Sequence, residues 1–179
     1  GDIIDIGAPG VVARRVSRKR QLIAEAQSIL WRPFFQLLWD VEAFYDNVNL
    51  LTLGKAAVRA GLDRRQLILG MALLLAPRAI KSGKVMCQGV QPAGGLTAGL
   101  KRANFYARLL LFPILEMMHK TIPQAMPRSY VDDLAQLVIG SCDDIVSWGA
   151  RGAKLLVTAL RASQVVISPK STVVASSID

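Results

Sequence analysis

Three carboxylates stand out by type and place. Asp132 and Asp133 lie side by side in Tyr130-Val131-Asp132-Asp133, followed by Leu134-Ala135-Gln136-Leu137. A turn uses one Asp for backbone reasons. Adjacent like charges repel, so a second acid calls for solvent or a cation. Asp40 closes the apolar run Leu37-Leu38-Trp39. An acid emerging from a buried strand is costly unless it is solvated or metal-bound. A strand end beside a hairpin tip would gather all three acids. Oxygen-only clusters suit Mg²⁺, which keeps waters and borrows substrate phosphates. Two such ions about 3.5–4 Å apart serve phosphoryl or nucleotidyl transfer. Other chemistries have little to work with: His119 is the single histidine, so zinc sites and Ser-His catalysis are nearly excluded.

The elements that must position these acids follow from pattern. Residues 16–31 read as a helix stopped by Pro33. FFQLLWDV (34–41) reads as a mostly buried strand. Residues 49–60 look helical and end at Gly61. Asp63-Arg64-Arg65-Gln66 resembles a capping box opening a helix to about Ala76. KVMCQ (84–88) reads as a short strand, GVQPAGG (89–95) as a flexible loop, and Leu96 to His119 as a long helix containing Pro113. RSYV and LAQLVI flank the paired aspartates as a hairpin. Asp143 to about Ala162 reads as a helix, and QVVIS and TVVAS as closing strands. Mixed strands and helices with a hairpin define the α+β class. The apolar runs Leu67–Pro77 and Leu109–Leu115 are too short to span a bilayer, which takes about 20 residues, and read as buried helices.

Composition limits the partners. The 179 residues suffice for one domain with a sizeable core, and 52% are hydrophobic, which argues against disorder. There are 22 Lys+Arg against 13 Asp+Glu, a net charge of +9. A basic folded chain points to an anionic partner, nucleic acid or an anionic membrane surface. Arg14, Arg15, Arg18, Lys19 and Arg20 form a block that is nearly all basic. A membrane-surface helix would alternate basic and apolar faces, so nucleic acid is the better reading and no membrane is expected. Cys87 and Cys142 give no disulfide framework, and GDIIDIGAPG lacks the features of a signal peptide. An intracellular setting, nucleus or cytoplasm, is expected rather than secretion. The N-terminus reads like a cut through a longer chain. Nothing bears on oligomeric state.

The order of the motifs resembles the palm of a reverse transcriptase, of the retroelement and group II intron type. Asp40-Val41-Glu42-Ala43-Phe44-Tyr45-Asp46 looks like motif A. Gly89-Val90-Gln91-Pro92-Ala93-Gly94-Gly95 sits where motif B belongs. Tyr130-Val131-Asp132-Asp133 looks like motif C, and Ser168-Pro169-Lys170-Ser171 like motif D. The overall texture is also similar to the divergent reverse-transcriptase-like proteins of dinoflagellate algae. The resemblance implies a polymerase palm over residues 34–179, an antiparallel sheet with helices packed on one face and further helices inserted. Residues 1–33 would be a basic helical segment of partial fingers, and no thumb is expected.

The resemblance also implies roles. Asp40 and Asp132 would bind two Mg²⁺ ions, with Mn²⁺ as a substitute, and Asp133 would support them. Val41 would lend its backbone to the metal and the incoming triphosphate. Tyr45 would be the steric gate against a ribose 2′-OH. Gln91, Gly94 and Gly95 would line the nucleotide site. Lys170 would lie near the triphosphate. Tyr130 and the block from Arg14 to Arg20 would meet nucleic acid. The activity implied is RNA-directed DNA polymerisation from an RNA template and a DNA primer with dNTPs. Motif B departs from the family: Ala93 stands where a glutamine belongs, and Gln91 precedes the proline. That departure sustains a second reading, a catalytically inactive nucleic-acid-binding remnant of a retroelement. RNA-templated RNA synthesis is a third, which the bulk of Tyr45 argues against.

Overall fold

The computed structural model describes residues 22–23, 25–97, 100, 102–130 and 133–176. The Arg14–Arg20 block, Val131 and Asp132 lie outside the described residues, as does the start of the helix expected over 16–31. Residues 25–29 of that stretch are helical.

Phe34–Trp39 reads FFQLLW and forms β1, the strand expected there. Aromatic and bulky apolar residues favour a pleated, half-buried surface. β1 is flanked on both sides. Pro127–Tyr130 forms β4 and Asp133–Ile139 forms β5, joined as the expected hairpin. Thr172–Ser176 forms β6. The sheet order is β4-β5-β1-β6, and every pairing is antiparallel. Cys142–Ala162 forms the helix α5. Its Ser141 cap and Asp144 exchange reciprocal hydrogen bonds, so the helix opens on a capping box one residue before the expected start. α5 comes close to the sheet through two small residues. A Cβ on Gly149 would lie 3.2 Å from the Phe35 ring, and one on Gly152 would lie 2.5 Å from Gln136 Nε2. The buried Gln136 amide donates to the Gly149 carbonyl at 3.1 Å. Phe34, Leu37, Leu134, Val138, Leu156 and Leu160 are buried in this part of the chain.

The residues up to Glu42 and those from Leu111 onward make one compact unit, and Ala43–Leu110 make a second. The second holds α1 (Phe44–Asn47), α2 (Leu50–Arg59), α3 (Arg64–Leu75) and the hairpin of β2 (Arg78–Ser82) with β3 (Val85–Val90). α4 (Ala103–Thr121) begins in it. Asn49 caps α2 by accepting from the Thr52 amide, and Asp63 caps α3 by accepting from the amides of Arg65 and Gln66. Both caps satisfy donors that a helix start leaves open. Phe44, Val48, Leu53, Leu74, Leu96 and Tyr106 are buried here.

Three expectations are corrected, and one strand is added. α4 starts at Ala103, not Leu96, and before it the Leu100 and Ala103 amides make turn bonds three residues back, to the carbonyls of Thr97 and Leu100. QVVIS contributes only an isolated bridge, Val41 to Ile167, because the chain turns away after it. β2 was not expected, and it extends the 84–88 strand into a hairpin. α3 is not buried: Ile68, Leu69 and Leu73 are each more than half exposed, and of its residues Gly70 and Leu74 are buried. A helix packed on one side covers a single stripe, whatever its other faces carry. Among the described residues no helix is long and apolar enough to cross a membrane.

Candidate functional site

The sheet brings residues from three strands to one end. In the β1–β5 ladder Leu37 faces Gln136, Leu38 faces Ala135 and Trp39 faces Leu134. The next step of that register sets Asp40 opposite Asp133. Residues directly opposite across antiparallel strands share a face, with Cβ atoms about 4.5–5.5 Å apart. Asp40 and Asp133 are both exposed and line one cleft at this end of the sheet, where like charges placed opposite one another favour a cation or water between them.

The other side of β1 supplies a lysine. Leu38 faces Thr172 in the β1–β6 ladder, and Val41 faces Ile167 in the bridge. From Leu38 to Val41 is three steps, and from Ile167 to Thr172 is five. The two additional residues bulge out as the turn Ser168-Pro169-Lys170-Ser171. Bulges re-aim side chains at the rims of sheets. Lys170 lines the same cleft of about 180 Å³ as Trp39, Asp40, Asp133 and Leu134, and it is exposed.

The turn is fastened to Asp40. The Ser168 amide donates to the Asp40 carbonyl at 2.8 Å, and the Asp40 amide donates to Ser171 Oγ at 3.1 Å. The Ser171 hydroxyl reaches the Ser168 carbonyl at 2.9 Å, and the Lys170 amide donates to Ser168 Oγ at 3.1 Å. One residue on, the Glu42 amide donates to the Val166 carbonyl. The bonds around the Val41 bridge thus use the carbonyls of Asp40 and Val166, not that of Val41. The two serines were not singled out from sequence. Their signal was the Ser-x-x-Ser spacing around a proline, which favours local hydroxyl-to-backbone bonds.

The remaining expected residues are placed as follows. Tyr130 ends β4, its backbone paired with Asp133. Tyr45 lies in the second unit, on α1, edge-on to Phe44, and its hydroxyl donates to Asn104 Oδ1 at 2.8 Å. Gln91 donates its amide to the Leu75 carbonyl at 2.7 Å, which fixes the start of the 91–97 loop. Gly94 is half-buried and Gly95 buried. The Gly95 amide donates to the Val48 carbonyl. A Cβ on Gly95 would lie 2.7 Å from the Asp46 carbonyl oxygen, and its φ is +81°. The close approach this glycine permits is to the backbone that carries Tyr45.

Gly95→Ala should lower stability by about 1–3 kcal/mol, the cost of a left-handed non-glycine residue, with the clash added. Gly94→Ala should stay within about 0.5 kcal/mol, as for a surface substitution free of such features, because its Cβ would sit at 3.7 Å from the Val48 carbonyl. Urea denaturation of both variants compares the two.

The donors fit a hard cation in kind. Asp40 and Asp133 offer carboxylate oxygens on one cleft, and Asp132 lies outside the described residues. Among the described residues no cluster of three or more His, Cys, Asp or Glu is placed to hold a metal.

The fold belongs to a recognisable class, a mixed α+β chain whose antiparallel sheet carries helices. More particularly, it is telomerase-like. The apo telomerase of Candida tropicalis, truncated from its C-terminal domain, matches with a TM-score of 0.65 at 13% identity, over 98% of this chain and 36% of that one. The telomerase of Candida tropicalis in complex with a TWJ fragment of telomeric RNA matches with a TM-score of 0.63 at 11% identity, over 96% of this chain and 30% of that one. The chain thus spans about a third of the length of these structures. No protein-family model and no curated protein matches it. At these identities the likeness is one of fold.

Proposed function

We propose that the chain is the palm region of a reverse transcriptase and takes part in RNA-directed DNA polymerisation. The observation that carries this reading is the alignment of Asp40, Asp133 and the Lys170 turn across three neighbouring strands, open to one cleft. These are residues of the motifs A, C and D that the sequence resembles, and they come from distant parts of the chain. The likeness in fold to telomerases, which are reverse-transcriptase-related, supports it. One of those structures holds telomeric RNA, which supports an RNA partner here.

Asp40, Asp132, Asp133 and the Val41 carbonyl would hold two Mg²⁺ ions. When bound, such ions supply charge neutralisation for an attacking 3′-hydroxyl and a departing pyrophosphate. The chain's own groups do the rest. Lys170 would hold the triphosphate and stand as a proton donor to its leaving end. Tyr45 would close the space beside the sugar 2′-carbon. Arg14, Arg15, Arg18, Lys19 and Arg20 would neutralise template and primer phosphates. A second reading, a nucleic-acid-binding remnant without turnover, is favoured by Ala93 in the place of motif B's glutamine.

Primer extension decides between them. On an RNA template with dNTPs and Mg²⁺ or Mn²⁺, the polymerase reading expects extension that Asp132→Ala removes. The remnant reading expects primer–template binding with no extension by either protein.

A further inference from the structure

We propose that Ser171 is a positioning residue that holds Asp40 and Lys170 in fixed relation. The proposal rests on the reverse transcriptase reading of the cleft. β1 ends at Trp39, and past it the Val41–Ile167 bridge engages the Asp40 carbonyl but not its amide. Asp40 instead gives its amide to the Ser171 hydroxyl, while its carbonyl accepts from the Ser168 amide. Both backbone polar groups of Asp40 are thus bound to the turn that carries Lys170.

The turn needs such a fastening. It is the two-residue excess between the Leu38–Thr172 and Val41–Ile167 pairings, and no strand neighbour defines its shape. The Ser171 amide closes it on the Ser168 carbonyl at 3.1 Å, and hydroxyls brace it: Ser168 Oγ accepts from the Lys170 amide, and the Ser171 hydroxyl donates to the Ser168 carbonyl. The Ser171 oxygen is the atom shared between the bonds inside the turn and the bond to Asp40. Taking it away frees the Asp40 amide and loosens the Lys170 turn together, leaving Asp40 held there by its carbonyl alone. The residues around it remain, since Ser171 lies at a half-exposed rim and not in the core.

Groups that orient metal-binding or reacting side chains at one remove typically cost about 10–100-fold in affinity or activity when lost. The test compares the full protein with its Ser171→Ala and Ser171→Thr variants in three measurements. They are amide hydrogen exchange at Asp40, Mn²⁺ affinity by electron paramagnetic resonance titration, and steady-state primer extension. Ser171→Ala is expected to speed Asp40 exchange, weaken Mn²⁺ binding about 10–100-fold and lower kcat by a similar factor. The melting temperature should hardly move. Ser171→Thr, which keeps the hydroxyl, should restore all three. Unchanged exchange or unchanged Mn²⁺ affinity in Ser171→Ala overturns the proposal. So does a loss that threonine does not rescue. If the wild-type protein extends no primer, the polymerase reading fails, and exchange with Mn²⁺ titration then decides the role of Ser171 alone.

Discussion

Asp40→Asn is expected to reduce nucleotide incorporation by about a thousandfold or more, roughly 4 kcal/mol of transition-state stabilisation. Asp132→Asn should do the same. The substitution keeps the size of the side chain and removes one negative charge that the proposed metal site would use. Asp40 is exposed, and its backbone bonds to the Ser168–Ser171 turn do not involve the carboxylate. The fold should therefore survive unaltered. Its stability should hold steady or rise by some 0.2–1 kcal/mol, because like charges opposite one another across a strand pair are destabilising. Single-turnover extension measures the first effect, and thermal melting without divalent ions measures the second. Near-normal extension by either variant would remove the metal-site assignment. A large drop in melting temperature would instead mark Asp40 as a structural residue.

Tyr45→Ala is expected to raise the use of rNTP relative to dNTP by one to several orders of magnitude, each factor of ten worth about 1.4 kcal/mol. A gate excludes by bulk, so Tyr45→Phe should preserve the preference. The structure adds a detail: the hydroxyl donates to Asn104. Losing that bond should cost about 0.5–1.5 kcal/mol of stability at most, with no effect on sugar choice. Tyr45 is half-buried rather than buried. Its removal should therefore cost less than the roughly 3–5 kcal/mol of a core aromatic, which leaves folded protein to assay. Paired kinetics with both nucleotide types on the three proteins give the result. A flat sugar ratio across them would take the gate from Tyr45 and with it the placement of motif A.

Much of the sheet was legible because its strands carry their own signals. FFQLLW has the aromatic density of a buried strand, and the hairpin is announced by apolar runs on both sides of two acids. Helix starts were legible where a capping side chain stood at the right place, as with Asp63. Elsewhere, bonds between distant residues decided. Nothing local to Leu96 says that its amide will meet the Tyr45 carbonyl, or that α4 will begin only at Ala103, after turn bonds to the Thr97 and Leu100 carbonyls. RAIKS has neither alternation nor apolar density, and it forms β2 only because β3 lies beside it. The α3 run looked fit for burial because hydrophobicity was read without knowing how many neighbours the helix has. At the site, the types of Asp40, Asp133 and Lys170 were readable. Their alignment was not, since it depends on the registers of two ladders and a two-residue bulge.

The strand order also sets a timetable. β1 sits between two partners that the ribosome makes much later, and Asp40 is separated by 131 positions from the serine that receives its amide. At synthesis rates of about 5–20 residues per second, β1 waits on the order of ten seconds for β6. Throughout that interval a largely apolar strand has both edges open, the kind of surface that other chains pair with. Contacts this distant also fold slowly, because the loop must close before they reward it. Any translation arrest between residues 40 and 133 leaves the carboxylate of Asp40 with neither of its strand neighbours. For a nascent chain of this kind, protection of the Phe34–Trp39 segment by a chaperone matters more than for a protein whose central strand is made last.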